Sequence, residues 1–188
     1  LKEIRNRISS VTSTMKITSA MKMVSAAKLK KAQDAITAMR PYSEKLTDLM
    51  SNFSDIISSS SISYLSETRD VKNVLVVSIC SNKGLCGAFN SNVIKQSLSL
   101  KNKEEYKGAN FSYLTIGKKA NDILSKTENI ISNHSDVYDN LIYDEVASVS
   151  EKIVEEFSLG NFDKVLIVFN SFKNAANQIV KTEQFLPI

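Results

Sequence analysis

Hydrophobic residues in the first 57 positions follow each other at alternating steps of three and four. One run of such positions comprises Leu1, Ile4, Ile8, Val11 and Met15, and a second comprises Ala32, Ala35, Met39, Tyr42, Leu46, Leu49, Phe53 and Ile56. This heptad spacing is typical of a coiled-coil helix, whose apolar stripe packs against a partner helix. Residues 1–57 also lack glycine and are rich in good helix formers. The pattern predicts one long helix over 1–57, with a bend near Met39 to Pro41.

Between the two runs the heptad register is lost. Continuing the first run would place Thr18, Lys22 and Ser25 on the apolar stripe. The apolar side chains of this stretch are instead scattered around the helix among alanines and lysines. We therefore expect other polypeptides to hold this part of the helix from several sides.

The remaining sequence changes to short apolar runs that alternate with helical stretches. Residues 58–66 are serine-rich, so we divide the chain into a helix (1–57), a connector (58–70) and a small domain (71–188). Buried strands are predicted at 74–79, 111–116 and 164–169, a shorter one at 130–131, and an edge strand, antiparallel to the others, at 179–185. Helices are predicted at 92–100, 118–125 and 144–157. The fold class is α/β, a Rossmann-like open and mostly parallel sheet preceded by a long coiled-coil helix.

Composition and charge narrow the class of protein. The chain has 188 residues, of which 43% are hydrophobic and 23% charged, as in ordinary globular proteins. Residues 1–40 carry nine basic and two acidic side chains, whereas the rest carries 15 basic and 18 acidic ones. The basic helix is expected to face a negative surface. No apolar run reaches the ~20 residues that cross a bilayer, and no signal peptide is recognisable, so we expect an intracellular protein without a membrane span.

Candidate chemistry is sparse. The loop at 81–90 follows the first strand, where nucleotide-binding α/β proteins hold phosphate, but Gly84 and Gly87 match only the last two glycines of the dinucleotide fingerprint. Turn formation is the favoured interpretation of this loop, and nucleotide binding is the alternative. The lone His134 is expected in a solvated loop, and a buried, inert thiol is the favoured state of Cys86. The chain is predicted to be non-catalytic and to hold no cofactor or metal.

Several motifs together resemble the gamma subunit of rotary ATP synthases. They are residues 1–8, 14–29, Ala32 with Gln33, residues 40–42, the Gly84-Leu85-Cys86-Gly87 loop with Asn90, and residues 170–187. The resemblance covers essentially the whole chain. It implies a central-stalk rotor, a coiled coil inside the hexamer of alpha and beta subunits whose basal domain contacts the epsilon subunit and the ring of c subunits.

The resemblance also implies roles for particular residues. Those matching Met21 and Lys28 lie at a collar facing an acidic loop of the catalytic beta subunit, with Lys22, Lys30 and Lys31 as weaker neighbours. Gly84, Leu85, Cys86 and Gly87 match a loop for which we infer a structural role. The implied location is the cytoplasmic face of the inner (plasma) membrane, as a peripheral subunit that couples proton transport to ATP synthesis.

The family continues beyond residues 186–188 into a C-terminal helix that pairs antiparallel with the first one. Without that helix we expect the apolar stripe to pair with a neighbouring copy of the chain, or the first helix to fray. Two other functions remain open from the sequence. One is a small nucleotide-binding α/β protein with a helical oligomerisation arm, and the other is a nucleic-acid or membrane binder. The second is disfavoured because no aromatic residue interleaves the basic stretch before Tyr42.

Overall fold

The computed structural model describes residues 1–52, 63–139, 141–174 and 176–188. The chain divides into two units, Leu1–Ile56 and Ile57–Ile188. The heptad positions predicted at Phe53 and Ile56, and most of the serine-rich connector, lie outside the described residues.

In the first unit, helix α1 spans Lys2–Asn52 without a break. Its 51 residues make a rod about 75 Å long at the standard helical rise. The predicted long helix is thereby confirmed. Helical structure continues through Pro41, and the bend expected there stays a prediction.

The apolar stripe of α1 has no cover within this unit. Every large apolar side chain from Leu1 to Met50 is at least 40% exposed. Polar side chains such as Thr14 and Thr18 donate hydrogen bonds to their own helix, to the carbonyl oxygens of Ser10 and Thr14 at 3.0 and 2.8 Å. The backbone of the helix is therefore hydrogen-bonded, whereas its apolar side chains remain exposed to solvent. Such an exposed apolar face is typical of a helix that packs against another protein segment.

The second unit is built on one five-stranded sheet. Its strands are β1 (Asn73–Ile79), β2 (Asn110–Ile116), β3 (Asn129–Asn133), β4 (Lys164–Phe172) and β5 (Gln178–Leu186), in the spatial order β3-β2-β1-β4-β5. The first four strands run parallel, and β5 pairs antiparallel with β4. The α/β class, the mostly parallel sheet and the antiparallel edge strand are all confirmed.

Three helices cover the sheet, α2 (Phe89–Ser99), α3 (Lys118–Leu124) and α4 (Tyr143–Ser158). Alternate residues of β1 point to opposite faces, so Val74 and Val76 pack with α2 and α3 while Leu75 and Val77 pack with α4. Each face thus holds its own apolar core, as expected for a parallel sheet buried on both sides. Helix α2 begins three residues earlier than predicted, at Phe89.

The order in which strands are added to the sheet reverses at β1, and this reversal determines where the loops after the strands meet. From β1 the chain passes to β2 and β3 on one side, then returns through α4 to β4 on the other. The loops that follow β1, β2 and β3 therefore gather at one edge of the sheet, the place where open α/β sheets bind ligands. The candidate loop at residues 84–87 lies at this edge.

Candidate partner surface and sheet-edge loop

On α1, the structure places Met21 and Lys28 on the same face. At about 100° per residue, seven positions bring the helix back to within about 20° of its starting direction. Both side chains are exposed, Met21 to 63%. An apolar and a basic side chain are thus presented together to whatever lies beside this face.

The other three predicted collar residues point elsewhere around the same helix. Measured from Met21, Lys22 lies about 100° away, Lys30 about 180° and Lys31 about 280°. All three are exposed. Among the described residues, none of the lysines of this collar is in a salt bridge, although Asp34 lies within one turn of Lys30 and Lys31. The collar is therefore a ring of available positive charge rather than a single patch.

In the second unit, Asn90 organises the loop between β1 and α2. Its side-chain oxygen accepts a hydrogen bond from the Ser81 backbone N–H at 3.0 Å. Its amide nitrogen donates to the Lys83 carbonyl oxygen at 3.2 Å and to the Cys86 sulfur at 3.3 Å. Asn90 is nine-tenths buried. The buried Asn90 side chain therefore bonds to Ser81, Lys83 and Cys86 in the same loop. These bonds explain why Asn90 accompanies the glycine motif.

The loop itself contains two residues in the left-handed region. Gly87 has φ 58° and Leu85 has φ 60°, a conformation that a residue without a Cβ adopts at little cost. The conformation explains glycine at position 87. Nothing in the structure explains glycine at position 84, whose φ is not positive and whose Cβ position is open. Leu85 is fully exposed, and Cys86 is exposed rather than buried, so the expectation of an inert buried thiol at Cys86 is wrong.

Asn82 joins the loops that follow three different strands. Its side-chain amide donates to the Ser135 carbonyl oxygen at 2.8 Å, and its side-chain oxygen accepts from the Lys118 N–H at 2.9 Å. The loop after β1 also passes directly over Gly117. A Cβ at position 117 would lie 2.0 Å from the Cys80 carbonyl oxygen, and the φ of Gly117 is 109°. Gly117 is thus the point at which two loops cross in close contact.

These contacts bear on the nucleotide-binding alternative. A phosphate site at a helix N-terminus needs backbone N–H groups that point at the ligand. Here the N–H groups of Ser81 and Lys118 donate to asparagine side chains, and that of Phe89 donates to the Cys86 carbonyl oxygen at 3.2 Å. These three N–H groups are therefore not free to bind a phosphate. The geometry favours the structural interpretation of residues 84–87.

Titratable groups near this edge are also engaged. Burial, with a smaller contribution from Cys86, raises the pKa of the Cys80 thiol to about 12, which keeps it protonated. His134 is half-buried rather than solvated, with Nε2 3.1 Å from the Ser132 hydroxyl. Burial, followed by nearby Lys152, lowers the His134 pKa, and Asp136 opposes this shift. At neutral pH the Cys80 thiol and the His134 imidazole are therefore both uncharged.

Among the described residues, no group of three or more His, Cys, Asp or Glu side chains is arranged to hold a metal ion. No described helix has both the length and the apolar character of a membrane span.

Fold and site together define a class of protein. It combines a doubly wound α/β sheet, whose edge loop is held by the buried Asn90 side chain, with a long basic helix whose apolar stripe is uncovered. The family model for ATP synthase matches this chain over residues 1–188.

Individual relatives narrow that class. A protein of Flavobacterium psychrophilum called "ATP synthase gamma chain" is 57% identical, and one of the same name from Flavobacterium johnsoniae is 56% identical. Both alignments cover 100% of this chain and 65% of the relative. A solved chain of the Tetrahymena thermophila mitochondrial ATP synthase, from a structure of its central stalk and c-ring, matches with 28% identity and a TM-score of 0.65, covering 91% of this chain and 72% of that one. The chain belongs to the ATP synthase gamma-chain family.

Sequence reasoning missed three residues that hold the sheet-edge loops. Gly117 carried a signal, since a glycine between a predicted strand and a predicted helix often marks a close approach of backbone. Asn82 and Ser135 carried none, because their hydrogen bond links positions 53 residues apart.

Proposed function

We propose that this chain forms the first helix and the basal domain of the central-stalk rotor in a proton-transporting ATP synthase. In this role it is a non-catalytic subunit that couples rotation of the membrane ring to ATP synthesis in the alpha/beta hexamer. The observation that carries the proposal is the match to ATP synthase gamma chains over the full length of this chain. Because the chain spans only 65% of those relatives, the activity and partners of the whole rotor belong to the proposal.

Helix α1 has the physical properties that such a shaft requires. Its 51 residues form one continuous helix, and a continuous helix resists bending better than jointed segments do. The uncovered heptad stripe supports pairing with a second helix, which would stiffen the rod further. In this role, torque from the ring passes along α1 into the hexamer.

The collar supports contact with the catalytic subunits. Met21 and Lys28 share one face, and Lys22, Lys30 and Lys31 surround the helix with positive charge that no described carboxylate pairs with. Charge distributed around the helix allows it to face several equivalent acidic surfaces at the same time. We infer that these five residues contact acidic surfaces of the beta subunits.

The α/β domain is the proposed base of the rotor. Its partners in this role are the epsilon subunit and the c-ring, which place it peripherally at the cytoplasmic face of the membrane. The buried Asn90 side chain, which bonds to Ser81, Lys83 and Cys86, supports a structural role for the loop at residues 84–87.

Cross-linking in the assembled ATP synthase tests the proposal. The exposed Cys86 is first replaced by serine, which leaves Cys80 buried, and Met21 is replaced by cysteine and labelled with a photoreactive maleimide. We expect illumination to join this chain to the beta subunit.

A label at Lys107→Cys, on the exposed surface of the α/β domain, is the matched control and should give no beta-subunit product. If position 21 gives no product with alpha or beta while position 107 does, the helix does not lie inside the hexamer and the proposal is wrong.

A further inference from the structure

An apolar groove opens on the α4 side of the sheet, away from the loop at 84–87. It is a cavity of about 270 Å³ between the first eleven residues of α4, the carboxyl ends of β1 and β2, and the middle of β4, with β5 at one wall. Eleven of its twelve lining residues are apolar or aromatic, and Ser150 is the exception. Its volume lies just below the ~300–1,000 Å³ of typical cofactor pockets. The groove is sized for a few side chains of another protein.

The floor and the rim of this groove differ in exposure. Val77, Val149 and Ile153 form the floor and belong to the apolar core beneath α4. Leu141 on the rim is 72% exposed, and its neighbour Tyr143 is 84% exposed. Large apolar side chains in a cluster of this kind mark an interaction site more often than an ordinary surface.

Charge around the groove is mainly negative, although Lys152 follows on α4 beside the lining residue Ile153. Residues 127–151 contain six acidic side chains and no lysine or arginine. Asp136, Asp139 and Asp144 lie within two or three residues of the lining side chains Val137, Tyr138, Leu141 and Val146. Among the described residues no salt bridge joins these three aspartates to a basic group. The rim therefore presents mainly negative charge, outside any salt bridge, around an apolar floor.

From this combination we infer that the groove binds a basic amphipathic helix of a partner protein. Apolar side chains on one face of that helix would enter the cavity, and its flanking lysines or arginines would lie against the aspartates of the rim. This is the common helix-in-groove mode of recognition. An anionic lipid surface or an acidic helix would meet like charge, which disfavours both occupants. The inference does not depend on the rotor role.

Peptide binding to the complete chain tests this. The probe is a 21-residue Leu/Lys heptad peptide, and chain methyl groups are observed by NMR. We expect the peptide to shift the methyl signals of Leu141 and Val146, with binding that weakens as salt is added. A Leu/Glu peptide of the same length should leave these two signals unchanged, even if it binds the basic helix α1.

Point substitutions test whether the Leu/Lys peptide binds in the groove. Leu141→Asp should weaken binding of the Leu/Lys peptide at least tenfold, and the double change Asp139→Asn with Asp144→Asn should weaken it several-fold. Leu159→Asp, at the exposed far end of α4, and Asp70→Asn, at the opposite end of the sheet, are the matched controls and should change it less than twofold. Circular dichroism of each variant checks that the domain remains folded.

Three results would overturn the inference. One is equal loss of peptide affinity in Leu141→Asp and Leu159→Asp. Another is a Leu/Glu peptide that shifts the groove methyl signals as strongly as the Leu/Lys peptide does. The third is sedimentation of the unmodified chain as a dimer that Leu141→Asp converts to a monomer, because the occupant would then be a second copy of this chain.

Discussion

Replacing Gly117 by alanine is expected to lower the free energy of unfolding of the α/β domain by about 3 kcal/mol or more. The new Cβ would lie 2.0 Å from the Cys80 carbonyl oxygen and 2.7 Å from its carbon. These are backbone atoms at the end of β1, where Cys80 N–H donates to the Ile116 carbonyl oxygen at 2.8 Å, so they cannot move aside as a flexible side chain would. Urea or thermal unfolding followed by circular dichroism measures the loss.

Gly108→Ala is the matched control for backbone strain. Gly108 also has a positive φ, 84°, but no atom lies within 4 Å of its Cβ position. Its replacement should therefore cost only the left-handed conformation, about 1 kcal/mol. Equal losses in the two variants would mean that the close crossing at Gly117 contributes nothing, and that the proposed link between the two loops is wrong.

The crossing at Gly117 matters because it holds several loops in place at once. Lys119 N–H donates to the Ser81 carbonyl oxygen at 3.2 Å, and Asn82 bonds to Lys118 on one side and Ser135 on the other. A displaced Gly117 would therefore disturb the loops after β1, β2 and β3 together. For this reason Gly117→Ala should also speed hydrogen exchange in the loop at residues 84–87.

In the assembled ATP synthase, Lys28→Glu is expected to lower proton-driven ATP synthesis about tenfold, relative to the amount of enzyme assembled. The change places a negative charge where the proposed partner surface is acidic, so attraction becomes repulsion. Folding should be almost unaffected, within about 0.5 kcal/mol, because Lys28 is exposed and lies off both heptad runs. Rates of ATP synthesis and hydrolysis, with the yield of assembled complex, separate coupling from assembly.

Lys45→Glu is the control on the same helix. Lys45 makes only an exposed contact with Asp48 at 3.6 Å, which is worth little in water, so coupling should change by less than twofold. If Lys28→Glu and Lys45→Glu reduce coupling alike, the effect is one of total charge. If Lys28→Glu reduces assembly as much as coupling, Lys28 is structural and the collar does not act as proposed.

The secondary structure was predictable because each element repeats its pattern locally. Three patterns illustrate this: the steps of three and four in α1, the apolar run of β1 and the amphipathic face of α4. Each can be recognised within one short stretch of sequence. The antiparallel direction of β5 could also be anticipated, since residues 179–185 alternate apolar and polar side chains as an edge strand does. Each of these signals is a periodic pattern, and a periodic pattern can be recognised without knowing which distant residues are in contact.

The site was predictable only in part, because its key contacts join distant positions. The motif at residues 84–87 stands out in the sequence, but Gly117, which contacts Cys80 and Ser81 just before that motif, belongs to another loop. The half-burial of His134 and the exposure of Cys86 likewise depend on how loops pack after the sheet has formed. The acidic character of residues 127–151 is visible in sequence, yet the groove it surrounds appears only when α4 lies against the sheet.

Direct observation of rotation tests the central claim, that this chain turns as the shaft of the enzyme. The alpha/beta hexamer of the assembled ATP synthase is fixed to a surface, and a bead is attached to Lys107→Cys in the Cys86→Ser background. We predict that adding ATP makes the bead rotate stepwise in one direction, and that rotation stops when ATP is removed. A bead that stays still while the same immobilised molecules hydrolyse ATP would contradict the claim.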